Sequence, residues 1–195
     1  ANAVELCGYR PVFMDCDRQT YCVDVREIEE RFDSKIGAVI VVHFAGYPCN
    51  MPEIHAFCSK RGIPVIEDCA HAIEAFRDGK HVGMDSFAAV YSFYANKNLT
   101  TSEGGMLFFK ESRYREKARQ FSLNGMTKHA WKRYGDTEHV HYDIISPGLK
   151  FNMTDLQASI GIHQLKRITA HWKTRKYLWH LYIEGLKDLP LQLPA

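Results

Sequence analysis

Apolar residues in the first 110 positions recur in short runs of strand length. The runs cover residues 11–17, 38–44, 64–70, 88–93 and 105–109. Several are apolar at consecutive positions, which is typical of strands in a sheet that helices cover on both faces. We therefore predict five strands in one largely buried sheet.

Helix-start patterns separate the first three runs. Two resemble a capping box, in which a polar residue is followed three positions later by an acid: Asp24 with Glu27, and Asn50 with Glu53. Alternation of strand and helix predicts right-handed parallel crossovers. Only a loop separates the runs 88–93 and 105–109, so we expect part of the sheet to be antiparallel or mixed.

The last third of the chain has helical periodicity. A helix is predicted after Glu111, a second begins at a capping box of Thr154 with Gln157 and runs to Ile168, and a third covers 172–186. Residues 128–148 lack periodicity and are expected to form an extended, charged loop. We place one domain at 1–170 and treat 171–195 as a long helix that leads towards a further domain.

Composition indicates a globular protein. The 195 residues are 46% hydrophobic and 25% charged, enough for one domain with a core. The net charge of +2 comes from intermixed acids and bases, so we expect no nucleic-acid partner. The apolar runs are too short to span a bilayer, and we expect no membrane partner. Six cysteines without a CxxC pair favour reduced thiols in the cytoplasm.

Three polar residues follow the predicted strands where ligands gather in open α/β sheets. Asp68 and Ser92 lie near the ends of two runs, and Lys97 lies in a loop rich in hydroxyls and glycine. Asp68 could simply cap a turn, and Lys97 could be a solvated surface charge. Together, however, a lysine, an acid and hydrogen-bond donors for a phosphate suit pyridoxal 5'-phosphate. This cofactor needs a lysine that forms a Schiff base, a partner for its ring nitrogen and a binding site for its phosphate.

Five ordered segments resemble the DegT/DnrJ/EryC1/StrS family of sugar-nucleotide aminotransferases. They are PVFMDCD, VVHFAGYPCNM, IPVIEDCAHAI, GKHVGMDSFAAVYSFYANKNLTTSEGGM and PGLKFNMTDLQASIGIHQLKRI. The resemblance implies the large domain of the aspartate aminotransferase fold (fold type I), an α/β fold with a mostly parallel, mixed sheet flanked by helices. It also implies transfer of an amino group, from an amino-acid donor such as glutamate, to a nucleotide-linked keto-sugar.

The resemblance assigns roles to four residues around the cofactor. Lys97 matches the lysine that forms the Schiff base and shuttles a proton to the substrate carbon; relatives that dehydrate the sugar have histidine there. Asp68 matches the partner of the pyridinium nitrogen. His71 falls where the family has glutamine or histidine near the ring, and Ser92 matches a phosphate-binding hydroxyl.

Two further residues are implied to act in a neighbouring subunit. Lys150 and Asn152 lie in the segment that reaches the partner's cofactor phosphate in the family, and either could make that contact. A homodimer with shared active sites is therefore expected. The family's main phosphate loop and stacking aromatic precede the counterpart of Ala1, so we expect a chain incomplete at both ends. The alternative is a non-catalytic piece with only a packing or dimerisation role.

Other candidate residues have simpler interpretations. His139 and His141 form an HxH pair, yet no third ligand lies near in sequence, and we expect no metal site. Residues 131–134 lie where relatives have a loop near the sugar nucleotide. Glu67 and Glu103 could form an acid/base pair of a hydrolase, but Glu103 belongs to the SEGG element of the family motif, where a structural role is expected.

Overall fold

The computed structural model describes residues 1–127 and 143–194. Its helices in chain order are α1 (Asn2–Leu6), α2 (Val25–Glu30), α3 (Met51–Ser59), α4 (Ser112–Phe121) and α5 (Asp155–Leu186). A single 3-10 turn covers Phe44–Gly46. Among these described helices, none combines the length and the apolar character that crossing a membrane requires.

The strands of the described residues form a main sheet and a small hairpin. They are β1 (Val39–Val42), β2 (Val65–Asp68), β3 (Phe76–Arg77), β4 (Lys80–His81), β5 (Ala88–Ser92) and β6 (Gly105–Phe109). The main sheet has the order β1-β2-β5-β6. β1, β2 and β5 pair in parallel, whereas β5 and β6 pair antiparallel, which confirms the mixed sheet expected from the short connection between them.

One face of the main sheet carries the core. Val41, Glu67 and Ala89 are register partners on this face and are all buried. The helices α2 and α3 contribute Ile28 and Ile54 to the cluster around β1 and β2. On the opposite face Ile40, Val42 and Val90 are exposed. Asp68 is the register partner of Val42 and Val90, so its side chain belongs to that open face.

The predicted strand at 11–17 is wrong. A strand needs a hydrogen-bonded neighbour, and in the described part of the chain this segment has none. Its backbone is held locally instead, because the Asp15 amide donates to the Glu27 carboxylate at 3.3 Å and the Asp17 amide to the Cys22 carbonyl at 2.9 Å.

Helix ends differ from the expected caps in two of three places. The Thr154 and Gln157 capping box is confirmed. Asp24 does cap α2, but it accepts from the Arg26 amide, while the Asn50 side chain makes no capping bond. The two helices predicted after Thr154 are one continuous helix of 32 residues, α5, because no proline interrupts the chain between them.

Candidate active site

A cleft of about 290 Å³ opens where β2 and β5 end side by side. Its volume lies near the lower end of the roughly 300–1,000 Å³ that ligand pockets occupy. The lining residues are Ala45, Ala70, His71, Ile73, Ser92, Asn96, Lys97 and Asn98. The structure thus brings three of the predicted residues together, His71, Ser92 and Lys97, although His71 lies in a different connection from the other two.

The loop from Tyr94 to Gly104 carries Lys97 and is held closed by its own hydrogen bonds. At its base the Phe93 amide donates to the Gly104 carbonyl at 2.8 Å, and the Thr101 amide donates to the Phe93 carbonyl at 2.9 Å. The amide of Lys97 donates to the Tyr94 carbonyl at 3.0 Å. Lys97 itself is half-buried and therefore is not the fully solvated charge that its loop position allowed.

Two glycines allow the loop to return to the sheet. A Cβ on Gly104 would collide with the Thr101 hydroxyl, and a Cβ on Gly105 would lie 2.8 Å from the Tyr91 carbonyl oxygen. The Thr101 hydroxyl donates to the Glu103 carbonyl at 2.8 Å. The two glycines of the SEGG element therefore lie at a close backbone crossing, where a residue with a Cβ would not fit.

Asp68 ends β2 beside this cleft. Its Oδ1 atom accepts from the Ala70 amide at 3.0 Å, so it does cap the following turn. A carboxylate has capacity for further hydrogen bonds, and the cap does not exclude a ligand. The Asp68 carbonyl accepts from the His43 amide at 3.1 Å, which ties the end of β2 to the residue that follows β1.

His71 lies at the mouth of the cleft, where its ring is exposed. Its Nδ1 atom accepts from the Ala45 amide at 3.3 Å, and its ring contacts the Phe44 ring edge to face with centroids 6.2 Å apart. Gly46 permits this approach, since its φ is +89° and a Cβ there would lie 3.0 Å from the His71 carbonyl oxygen. The connection after β1 therefore fixes where the His71 ring lies.

Beneath Asp68 the core contains a hydrogen-bonded pair that the sequence analysis did not single out. Nε2 of His43 lies 2.7 Å from Oε2 of Glu67, and both side chains are buried. The His43 Nδ1 atom accepts from the Cys49 amide at 3.0 Å, so Nε2 carries the proton and donates it to the carboxylate.

The Glu67 carboxylate is ionised in this environment. Burial by itself raises the pKa of Glu67, but hydrogen bonds from His43, Ser86 and the Gly83 amide outweigh it and hold the pKa below its usual value. The Gly83 bond is 2.8 Å long. An apolar strand with one inward-facing acid is the sequence signal for such a buried, fully paired group.

Three atoms that could coordinate a metal ion, one each from His43, Glu67 and Cys69, lie within 4.8 Å of one another. Two of these residues already have partners, however: Glu67 Oε2 accepts from both His43 and Gly83, and His43 Nδ1 accepts from the Cys49 amide. Burial also raises the pKa of Cys69 to about 12, so in this environment its thiol is protonated at neutral pH. We interpret the cluster as a satisfied core network.

Other predicted residues lie apart from the cleft. Lys150 is exposed and forms a backbone bridge with Leu123, and Asn152 is exposed with its amide 3.4 Å from the Met153 carbonyl. Neither lines the cleft. Glu103 is exposed in its loop whereas Glu67 is buried in the core, so the structure does not support the acid/base pair of a hydrolase. Residues 131–134, His139 and His141 lie outside the described residues.

The structure adds neighbours of Lys97 that sequence reasoning missed. Asn98 donates its amide to Glu74 at 3.0 Å, and Arg175 of α5 donates to Glu74 at 3.2 Å. The only sequence signal for these contacts is a charged residue next to a motif, which is too common to be informative. The β3–β4 hairpin was also missed, although its Asp78-Gly79 turn is a typical hairpin signal.

Known proteins resemble this chain over most of its length. The model of the DegT/DnrJ/EryC1/StrS aminotransferase family matches residues 1–195. The spore coat polysaccharide biosynthesis protein SpsC of Bacillus subtilis is 40% identical over 190 residues, which cover 97% of this chain and 49% of SpsC. The chain spans about half the length of the curated relatives it matches.

Solved structures share the fold, among them the following two aminotransferases. The aminotransferase PseC of Helicobacter pylori, involved in pseudoaminic acid biosynthesis, has a TM-score of 0.89 and 27% identity over 97% of this chain and 49% of its own. The PLP form of Spr1654 from Streptococcus pneumoniae, described as a sugar aminotransferase, has a TM-score of 0.84 and 27% identity over 96% and 50%. The fold is that of the fold type I transferases, as predicted.

Proposed function

Because this chain belongs to the DegT/DnrJ/EryC1/StrS aminotransferase family, we propose that it acts, within the whole protein, as a pyridoxal 5'-phosphate-dependent aminotransferase of nucleotide-linked keto-sugars. The observation that carries the proposal is the position of Lys97. Lys97 lines one cleft with Ser92 and His71 and lies in the loop that follows β5. The neighbouring strand, β2, ends at Asp68.

The residues present fit pyridoxal phosphate. The half-buried lysine, the neighbouring carboxylate and the polar groups of Ser92, Asn96 and Asn98 offer the three kinds of group that the cofactor requires. Bound there, it would supply an electron sink for the bonds that change at the amino-bearing carbon. One cleft thus holds both a nucleophile and hydrogen-bond donors for a phosphate.

Asp68 would bind the ring nitrogen of the cofactor. An ionised carboxylate favours the protonated form of a nitrogen to which it is hydrogen-bonded. The backbone of Asp68 is fixed by the His43 amide, and Oδ1 is held by the Ala70 amide. This carboxylate is consequently pre-oriented and need not reorganise when the ligand binds.

Lys97 would hold the cofactor covalently through Nζ and, once released by the incoming amine, would move a proton to and from the substrate carbon. Its backbone is anchored at both sides by the closed loop, so only the side chain has to move between these tasks. The Ser92 hydroxyl would bind the phosphate, and His71 would lie near the ring at the cleft mouth.

We propose that the active unit is a homodimer in which Lys150 or Asn152 contacts the phosphate of the neighbouring site. Both residues are exposed and lie outside their own cleft, which supports a role elsewhere. The helix α5 has no buried residue and exposes large side chains such as Leu156 and Leu165.

We also propose residues 1–170 as part of the large domain, with 171–195 leading towards a small domain.

The names of two relatives support the proposed substrate class. SpsC is named for spore coat polysaccharide and PseC for pseudoaminic acid biosynthesis, so we propose a role in surface polysaccharide, glycan or antibiotic sugar biosynthesis, with glutamate as the donor. The six cysteines are free thiols, which supports a reducing, cytoplasmic compartment.

The test is an amino-transfer assay with the full-length protein, glutamate and a panel of nucleotide-linked ketosugars, in which mass spectrometry detects the amino-sugar product. We expect product from at least one acceptor and none from Lys97→Ala, with Lys60→Ala, an exposed lysine elsewhere, as the control. If the wild-type protein takes up no pyridoxal phosphate and forms no product, the alternative of a non-catalytic packing role stands.

A further inference from the structure

Asn98, the residue after Lys97, is held by a closed triangle of polar contacts. Its side-chain amide donates to Glu74 Oε2 at 3.0 Å. Arg175 donates to Glu74 Oε1 at 3.2 Å and to the Asn98 carbonyl at 3.4 Å. Side chain and backbone of Asn98 are thus both restrained from outside the loop.

Glu74 is the central member of this triangle. Its side chain is 10% exposed and each of its oxygens has a different partner, whereas the Arg175 side chain is 43% exposed. A carboxylate so close to complete burial is stable only when paired. The ion pair with Arg175 is therefore shielded from solvent on the side of the acid.

The helix α5 contacts the same loop a second time. Gln157 donates its side-chain amide to the Glu103 carbonyl at 2.8 Å. Gly161 lies so close to Thr101 that a Cβ there would be 2.9 Å from the threonine methyl group. One rigid helix therefore contacts the loop on both sides of Thr101, at Asn98 and at Glu103.

We propose that Glu74 and Arg175 are positioning residues: by holding Asn98 they fix the place of the Lys97 side chain in the cleft. This rests on the proposed function, in which Lys97 bonds the cofactor. Reaction rates depend steeply on such placement, and a displacement of about 1 Å can cost about 100-fold. Neither residue lines the cleft, so their effect passes through Asn98.

The first test measures the loop without any cofactor. Hydrogen exchange of residues 92–105 reports the Lys97 and Thr101 amides, which are bonded within the loop. In the Glu74→Ala and Arg175→Ala variants we expect these amides to exchange about tenfold faster, which corresponds to the loss of one or two ordinary hydrogen bonds. Arg167→Ala is the matched control, an exposed arginine about two turns away on the same helix.

The second test measures Lys97 itself in the full-length protein. Pyridoxal phosphate is added, Nζ adds to its aldehyde carbon with loss of water, and borohydride converts the product to a stable secondary amine that peptide mass spectrometry locates. We expect Glu74→Ala to lower the maximal labelling rate of Lys97 about tenfold while the half-saturating concentration stays within about twofold.

Conservative variants separate positioning from general destabilisation. Glu74→Gln keeps one oxygen for the Asn98 amide but no longer offers a second acceptor to Arg175, so it should recover only part of the labelling rate. Arg175→Lys can reach only one of the two acceptors and should recover part of it. Labelling that rises at all lysines together with a fall in the unfolding midpoint would show mere loss of structure and overturn the proposal.

The two hypotheses fail in different ways. If wild-type Lys97 is labelled and both alanine variants match it in rate and exchange, the positioning role is wrong and the proposed function stands. If wild-type Lys97 is not labelled at all, the proposed function fails, and the positioning role fails with it whatever the exchange data show.

Discussion

The imidazole of His43 donates to the carboxylate of Glu67 across 2.7 Å, and neither side chain is more than 2% exposed. Glu67 precedes Asp68 in β2, and the two side chains lie on opposite faces of the sheet. The same His43 residue bonds the Asp68 carbonyl through its amide. The buried pair thereby anchors the strand end from which Asp68 faces the candidate site.

Glu67→Gln should lower the free energy of unfolding at pH 7 by about 2 kcal/mol, because Gly83 and His43 both donate to an oxygen that loses its charge. The effect should depend on pH. The pKa of Glu67 in the folded protein is below its ordinary value of 4.5, so its stabilisation is complete above about pH 4.5 and is lost as the pH falls through the folded-state pKa.

Denaturant titrations from pH 7 to pH 3 measure this change. The gap between wild type and Glu67→Gln should narrow in acid. Asp85→Asn is the control, since that acid is half-exposed and paired with Lys80, and its loss should cost no more than about 1 kcal/mol. A gap that stays constant over the whole range would contradict the assigned ionisation of Glu67.

Gly104→Ala should disturb the Lys97 loop, because its Cβ would collide with the Thr101 hydroxyl. We expect a loss of about 1–3 kcal/mol in the free energy of unfolding, as for other overpacked sites. Faster exchange in residues 92–105 should accompany it. Gly37→Ala has open space around its Cβ and should leave the loop unchanged. Equal exchange in the two variants would disprove the close crossing at Gly104.

Thr154→Ala should fray the first turn of α5, since the threonine hydroxyl accepts from the Gln157 amide and the Gln157 side chain bonds back to Thr154. The expected cost is about 1 kcal/mol of stability. Thr174→Ala, in the middle of the same helix, should be neutral or slightly stabilising. Thermal unfolding compares the two, and a larger loss in Thr174→Ala would contradict the observed capping box.

Alkylation of the native protein should distinguish the cysteines by burial. Cys7 and Cys16 are exposed and should react quickly with iodoacetamide at neutral pH. Cys58 and Cys69 should react only after unfolding, because burial keeps reagent out and raises the pKa of each thiol, that of Cys69 to about 12. Rapid native modification of Cys69, detected by peptide mass spectrometry, would mean that β2 is not buried as described.

The sequence predicted the parts of the fold that depend on local patterns. Periodicity located the four strands of the main sheet, and the short connection between Ser92 and Gly105 explained why the last pair is antiparallel. The family motif indicated Lys97, which lines the cleft in the structure; its bond to the cofactor stays a prediction. The strand at 11–17 failed because its apolar residues alone do not reveal whether a partner strand is present.

Contacts between residues far apart in sequence escaped prediction for the same reason. Glu74 and Arg175 are ordinary surface-type residues in their own segments, and only the path of α5 brings them together beside Asn98. His43 follows β1 and Glu67 lies within β2, and their pairing depends on the parallel register of these two strands. Such positions follow from tertiary packing, which local patterns do not encode.

The most direct test of the account locates the covalent bond to the cofactor. Full-length protein is incubated with pyridoxal phosphate, reduced with borohydride and digested, and every lysine peptide is analysed by mass spectrometry. We predict that modification concentrates on Lys97 at substoichiometric cofactor and that Lys97→Ala loses it. Modification spread over exposed lysines, or concentrated on another lysine, would contradict the assignment of Lys97 as the cofactor lysine.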